Sequence, residues 1–152
     1  MFYIPNLPYA FYLAFRVGHP VFFSAANPGI KSSGNGSESK FETLSSIPKQ
    51  YIPKSIIHKS GSDISKTVLA IENEKIEFPL IVKPDVGFRG LLVQVIDSQT
   101  GLESFLNKYP IDFIIQEYLQ FPNECRIFFH KNPNSKTDKV TSITTKKIHF
   151  RT

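Results

Sequence analysis

The sequence is short of several residue types, and each shortage excludes something. It has no Trp, one Met and a single Cys, Cys125. One cysteine excludes an intramolecular disulfide framework and any CxxC metal site, and makes a reducing, cytoplasmic setting the default expectation. Within an apolar strand pattern, Cys125 reads as a core residue rather than a catalytic thiol. Eleven Pro in 152 residues exclude a long bundle or coiled coil. There is no GxxxxGK[ST] loop, no GxGxxG after a strand, no HExxH and no GxSxG elbow. The four His (His19, His58, His130, His149) are scattered without metal-ligand spacing, so no metal ligands are assigned. No apolar run approaches the roughly 20 residues a spanning helix needs. The longest uninterrupted one, Tyr9 to Phe15, is far shorter, and there is no basic opening of a signal peptide.

What is present is a globular composition, 41% apolar, with an aromatic character set by 14 Phe and 6 Tyr. The net charge of +5 is local: from Lys131 onward six basic residues face Asp138 alone, so the whole excess lies in that end. Such an end suits a phosphate-bearing ligand, RNA or another polyanion.

Residues 2–28 form an aromatic-rich arm, expected to be packed or interfacial, with peripheral membrane contact as the other reading. Residues 31–39 (KSSGNGSES) are a polar loop. A short helix follows at 40–44, then the proline-rich stretch 47–53, a strand at 55–58, and a helix capped by Ser62 or Asp63 running to Asn73. Ile64, Val68, Leu69 and Ile71 are its expected apolar side. Strands are expected at 78–83, 91–96 and 113–116, a helix capped by Ser98 between the last two, and a hairpin from 124–130 and 140–148. This order predicts an α+β fold with mixed or antiparallel sheets and flanking helices. The expected organisation is an N-terminal arm over 1–45 and a nucleotide-binding body over 46–152.

Two stretches carry chemistry. In FPLIVKPDVGFRG, Lys83 ends a buried apolar strand, where an ammonium is costly unless it meets an anion. Gly87, Phe88, Arg89 and Gly90 follow, a loop able to offer backbone N–H groups to phosphate. The competing reading is a surface lysine at an ordinary turn. In IIQEYLQFPNECRIFF, Glu117, Tyr118 and Leu119 connect two strands, and Glu124 lies seven residues after Glu117. Such a connection can present main-chain groups to a base edge and a carboxylate to ribose hydroxyls. Taken alone, an ordinary strand connection with two solvated glutamates is the favoured reading.

Together with Lys40 in E-S-K, the order of these elements over roughly 38–130 resembles the ATP-grasp superfamily. The resemblance is best to the D-alanine–D-alanine ligase and carboxylate–amine ligase branch. It implies ATP as ligand. Lys40 and Lys83 would meet the α- and β-phosphates, and 87–90 would cover them. Glu117, Tyr118 and Leu119 would meet adenine, Glu124 would hold the ribose, and Ile81 with 113–115 would wall the purine. Lys146 or Lys147, on opposite faces by alternation, would approach the transferred phosphate or acyl-phosphate, with a solvated edge strand as the plain alternative. The reaction implied joins a carboxylate to an amine through an acyl-phosphate. Mg²⁺ is implied as well, but its acidic ligands are missing: after Glu124 only Asp138 is acidic, and there is no E-x-N element. The expectation is a partial ATP-grasp domain that lacks its metal-ligand segment, binds nucleotide weakly at most and does not complete the transfer. A non-catalytic module holding RNA or another polyanion is the alternative, although nucleic acid is not the expected partner.

Overall fold

The computed structural model describes residues 4–22, 30, 37–87, 90–121, 123–130 and 139–147, without the side chains of His130 and Lys147. It divides into two compact units, Met1–Tyr118 and Leu119–Thr152. The division falls within the predicted adenine connection, between Tyr118 and Leu119, inside the segment read from sequence as one body.

In the first unit a 3-10 turn at Ile4–Asn6 leads into helix α1, Leu7–Val17, which ends at Gly18 in the left-handed region (φ 71°). No residue of α1 is buried, and Phe15 is 90% exposed. Over 7–17 the arm is thus not packed against the described residues. No helix among the described residues is long and apolar enough to cross a membrane.

Four strands and three helices make the body. Helix α2 spans Lys40–Ser45, capped by the Ser39 hydroxyl, which accepts the Glu42 N–H. Strand β1 is Ser55–His58, helix α3 Ile64–Asn73, strand β2 Leu80–Pro84, strand β3 Gln94–Ile96, helix α4 Gln99–Lys108 and strand β4 Phe113–Glu117. Asp63 caps α3 and Ser98 caps α4. The sheet runs β1-β4-β2-β3 with every pair antiparallel.

Two strands are shorter than their apolar runs. β2 starts at Leu80 because Pro79 has no N–H to give a ladder. β3 starts at Gln94 because Leu92 sits at φ 59°, a turn conformation that ends the extended run.

The sheet's alternation sorts its residues into two faces. One face holds Ile56, Leu80, Val82, Phe113 and Ile115, which join Leu102 and Leu106 of α4 and Ile71 of α3 in the core. Leu69 was expected on the inner side of α3 but is exposed; Thr67 is buried there instead. The reason is specific: Thr67 Oγ1 lies 2.8 Å from Nδ1 of buried His58, so the hydroxyl meets a polar need the core creates. The other face carries Ser55, Ile81, Lys83, Ile114 and Gln116.

The second unit is a two-stranded ribbon, β5 Asn123–His130 against β6 Lys139–Lys147, with a register shift between Phe128 and Phe129. Cys125 is exposed on it, not a core residue as expected. A single ribbon has no second layer of its own in which to bury alternate side chains.

Candidate anion cleft on the open face of the sheet

The cleft is built where α2 meets the end of β2. Asp85, one residue past β2, is 1% exposed, and its Oδ1 is doubly engaged. Oδ1 accepts from the Phe41 N–H at 2.8 Å and from the Ser39 hydroxyl at 3.0 Å. The Asp85 carbonyl accepts the Lys40 N–H at 3.2 Å, and its own N–H donates to the Asp112 carbonyl. These bonds tie the start of α2 to the root of the glycine loop across 44 to 46 residues of chain.

This bracing aims Lys40. Its Nζ donates to the carbonyls of Pro84 (3.2 Å), Asp85 (2.8 Å) and Gly87 (3.2 Å). A lysine that donates to three carbonyls holds the loop's first turn closed. Gly87 (φ 68°) and Gly90 (φ 92°) both lie in the left-handed region, which a side chain would strain. Phe88 and Arg89 lie outside the described residues.

Lys83 stands beside Lys40. Its Nζ donates to Gln116 Oε1 at 2.8 Å, and Gln116 Nε2 donates to Ser55 Oγ at 2.9 Å. Register explains the contact: Lys83 pairs with Ile114 and Gln116 with Ile81, so Lys83 and Gln116 are diagonal neighbours on one face. Ser55 lies directly opposite Gln116. Burial pushes the Lys83 pKa below the ordinary lysine value, and the Lys40 charge lowers it further. No ion pair among the described residues includes either lysine. Both line an open cleft of about 320 Å³ with Ile30, Glu38, Thr43 and Leu44. Two ammonium groups side by side, each bonded to neutral oxygens only, make a site for an anion.

The remaining expected residues fall as follows. Of 113–115, only Ile114 shares the face of Ile81; Phe113 and Ile115 belong to the core. Alternation along a strand makes a wall from three consecutive residues impossible. The Glu117 N–H donates to the Lys54 carbonyl, and its carboxylate accepts the Lys54 N–H at 3.0 Å, so both groups are engaged within the sheet edge. Tyr118 ends the first unit and Leu119 begins the second. On the ribbon, Glu124 pairs in register with Lys146, and Asn123 with Lys147. The Glu124 carboxylate lies 3.5 Å from Arg126 Nε. Lys146 is thus the lysine that shares a face with Glu124. Among the described residues no group of three His, Cys, Asp or Glu converges as a metal site.

Sequence reasoning did not single out Asp85, Gln116 or Ser55. The signal for Gln116 was available: a polar side chain closing the buried run FII needs a partner inside.

Comparison with known proteins agrees with this construction. Residues 37–131 match the RimK-like ATP-grasp domain, a span that contains α2, the whole four-stranded sheet, the glycine loop and β5. The chain belongs to the RimK-like ATP-grasp domain family. No curated protein matches it. Among solved structures, it is similar to a D-alanine–D-alanine ligase from Bacillus anthracis at 18% identity, covering 74% of this chain and 42% of that one, with a TM-score of 0.45. A structure of the Bacillus anthracis D-alanine–D-alanine ligase complexed with ATP is 20% identical, over 65% of this chain and 36% of that one, with a TM-score of 0.35. The chain thus spans about two fifths of the length of these structures.

Proposed function

We propose that the cleft between α2 and β2 binds the phosphates of ATP, and that this chain supplies the nucleotide-holding part of an ATP-dependent ligase. The observation that carries the proposal is the pair Lys40 and Lys83, side by side and in no ion pair among the described residues, inside the matched family span. An ammonium that is half-buried next to another cation is stabilised by an incoming phosphate, which relieves both the desolvation and the mutual repulsion.

In this reading Lys40 and Lys83 contact the α- and β-phosphates and the 87–90 loop lies over them. Tyr118 and Leu119 meet the base, and Glu124 the ribose. The Glu117 contribution narrows, because its N–H and carboxylate already bond Lys54. Lys146, which pairs in register with Glu124, is the candidate for the transferred phosphate. In a complete ligase of this type ATP activates a carboxylate as an acyl-phosphate, which an amine then displaces. Mg²⁺ belongs to that chemistry, and the described residues offer no ligand set for it. For this chain we expect weak nucleotide binding without turnover.

Titration calorimetry of the 152-residue chain with ATP tests it. Saturable binding in the high-micromolar to millimolar range is expected, weakened about tenfold or more in Lys83→Ala, since a hydrogen bond to a charged group contributes about 1.5–3 kcal/mol. Absence of saturable binding, or equal binding by Lys83→Ala, sinks the proposal. ATP turnover with a carboxylate and an amine would overturn its second half.

A further inference from the structure

We propose that Gln116 is a positioning residue for Lys83: its amide aims the ammonium into the cleft without neutralising it, and Ser55 fixes which way the amide points. This rests on the anion-binding reading of the cleft.

The hydrogen-bond chemistry sets the direction of the chain. The Ser55 hydroxyl has one proton, and it goes to the Pro53 carbonyl at 2.7 Å. Toward Gln116 the Ser55 oxygen can then only accept. Gln116 must present its NH₂ to Ser55 (2.9 Å), which leaves its carbonyl oxygen facing Lys83 Nζ (2.8 Å). The reverse orientation would set two donors, the amide NH₂ and the ammonium, against each other. Gln116 is 7% exposed, so it has no water in reserve to relax that arrangement.

The neutrality of the partner matters as much as its position. Gln116 Oε1 takes one of three N–H donors of Lys83 and is its single hydrogen-bond partner among the described residues. A carboxylate of the same shape would cancel the charge and compete with any phosphate for it. The other ionisable groups around Lys83 do not do this. Lys40, from α2, has like charge. The Asp85 carboxylate is given to Ser39 and Phe41, and that of Glu117 to the Lys54 N–H. Glu38 lines the cleft as well, and no ion pair among the described residues includes Lys83. The amide thus keeps an anion receptor where a one-atom change would give an internal salt bridge.

The test uses the whole chain and two readouts. Calorimetry with ATP and with inorganic tripolyphosphate compares wild type, Gln116→Glu, Ser55→Ala and Lys83→Met, and the double variant Gln116→Glu/Lys83→Met. Gln116→Glu is expected to lose about tenfold or more in affinity for both ligands, with Ser55→Ala losing less, the scale of a charge-assisted bond. In the Lys83→Met background Gln116→Glu should have no comparable effect. An equal loss in both backgrounds would show a merely structural or through-space role and overturns the proposal. So does undiminished binding by Gln116→Glu.

The second readout needs no ligand. NMR of ¹³C-dimethylated lysines should show the Lys83 titration moving to higher pH in Gln116→Glu. If wild type binds neither ligand, the phosphate reading fails, and this titration still decides the inference: an unmoved Lys83 overturns it.

Discussion

Lys40 and Asp85 serve each other. The Lys40 ammonium donates to the Asp85 carbonyl at 2.8 Å, and the Asp85 carboxylate accepts the N–H of Phe41, the residue after Lys40, at 2.8 Å. One contact closes the loop after β2 and the other fixes the helix that carries the lysine. The two positive groups of the cleft are therefore held on one braced unit.

Removing the brace should cost stability as well as binding. Asp85→Ala leaves the Phe41 N–H and the Ser39 hydroxyl without their buried acceptor. It should destabilise the chain by about 1–3 kcal/mol. Asp85→Asn, which keeps an acceptor oxygen, should lose less. Denaturant unfolding measures both. Equal stability of Asp85→Ala and wild type would refute the brace.

Lys40→Ala should loosen the loop before any ligand is added. Three carbonyls, those of Pro84, Asp85 and Gly87, lose their common donor. Amide exchange over 86–90 should become faster, while exchange in β4 stays unchanged. Uniform acceleration across the sheet would point to general destabilisation instead.

Nucleotide affinity should fall as pH rises. Only the protonated Lys83 attracts phosphate, and burial together with Lys40 pushes its pKa below the ordinary lysine value of 10.5. The loss should begin at a lower pH than an exposed lysine would give. Calorimetry across the alkaline range checks this, and Lys83→Arg, which keeps its charge throughout, should flatten the profile.

Stability should fall on mild acidification. Burial pushes the His58 imidazole below its ordinary value of 6.5, against a smaller upward pull from Asp112. The unfolded chain takes up its proton as pH drops through about 6.5, while the folded chain resists. The contribution is intact above that pH and declines below it. Asp112 acts in a separate window: the Lys59 hydrogen bond first, then the Ser60 N–H, hold its carboxyl below 3.8. Its contribution is lost only in stronger acid. Thermal unfolding in the mildly acidic range should show a slope that His58→Gln removes.

The core should respond to truncation in the ordinary way. Leu80 and Leu102 are fully buried and meet in one cluster. Replacing either by Ala should cost about 2–5 kcal/mol, measured by chemical denaturation. A cost under about 1 kcal/mol would mean that the core is not packed as described.

The sequence by itself determined the order of elements, and the reason is local. Ser98 and Asp63 cap helices wherever the chain goes next. The apolar run LIVK within FPLIVK forms a strand, and Gly87 and Gly90 permit the turns that follow. The resemblance rested on the same local order, and the family match confirms it. What the sequence could not determine is which side chains meet across strands. Strand register decides that Ser55, Lys83 and Gln116 share a face, and that Phe113 and Ile115 turn to the core while Ile114 does not. A one-residue slip would exchange every one of these assignments. The Asp85 brace depends on the same tertiary fact, since its partners lie more than 40 residues away in the chain. Lys40 and Lys83 were legible as candidates from their motifs. That they stand together as two unneutralised charges was decided only when the chain folded.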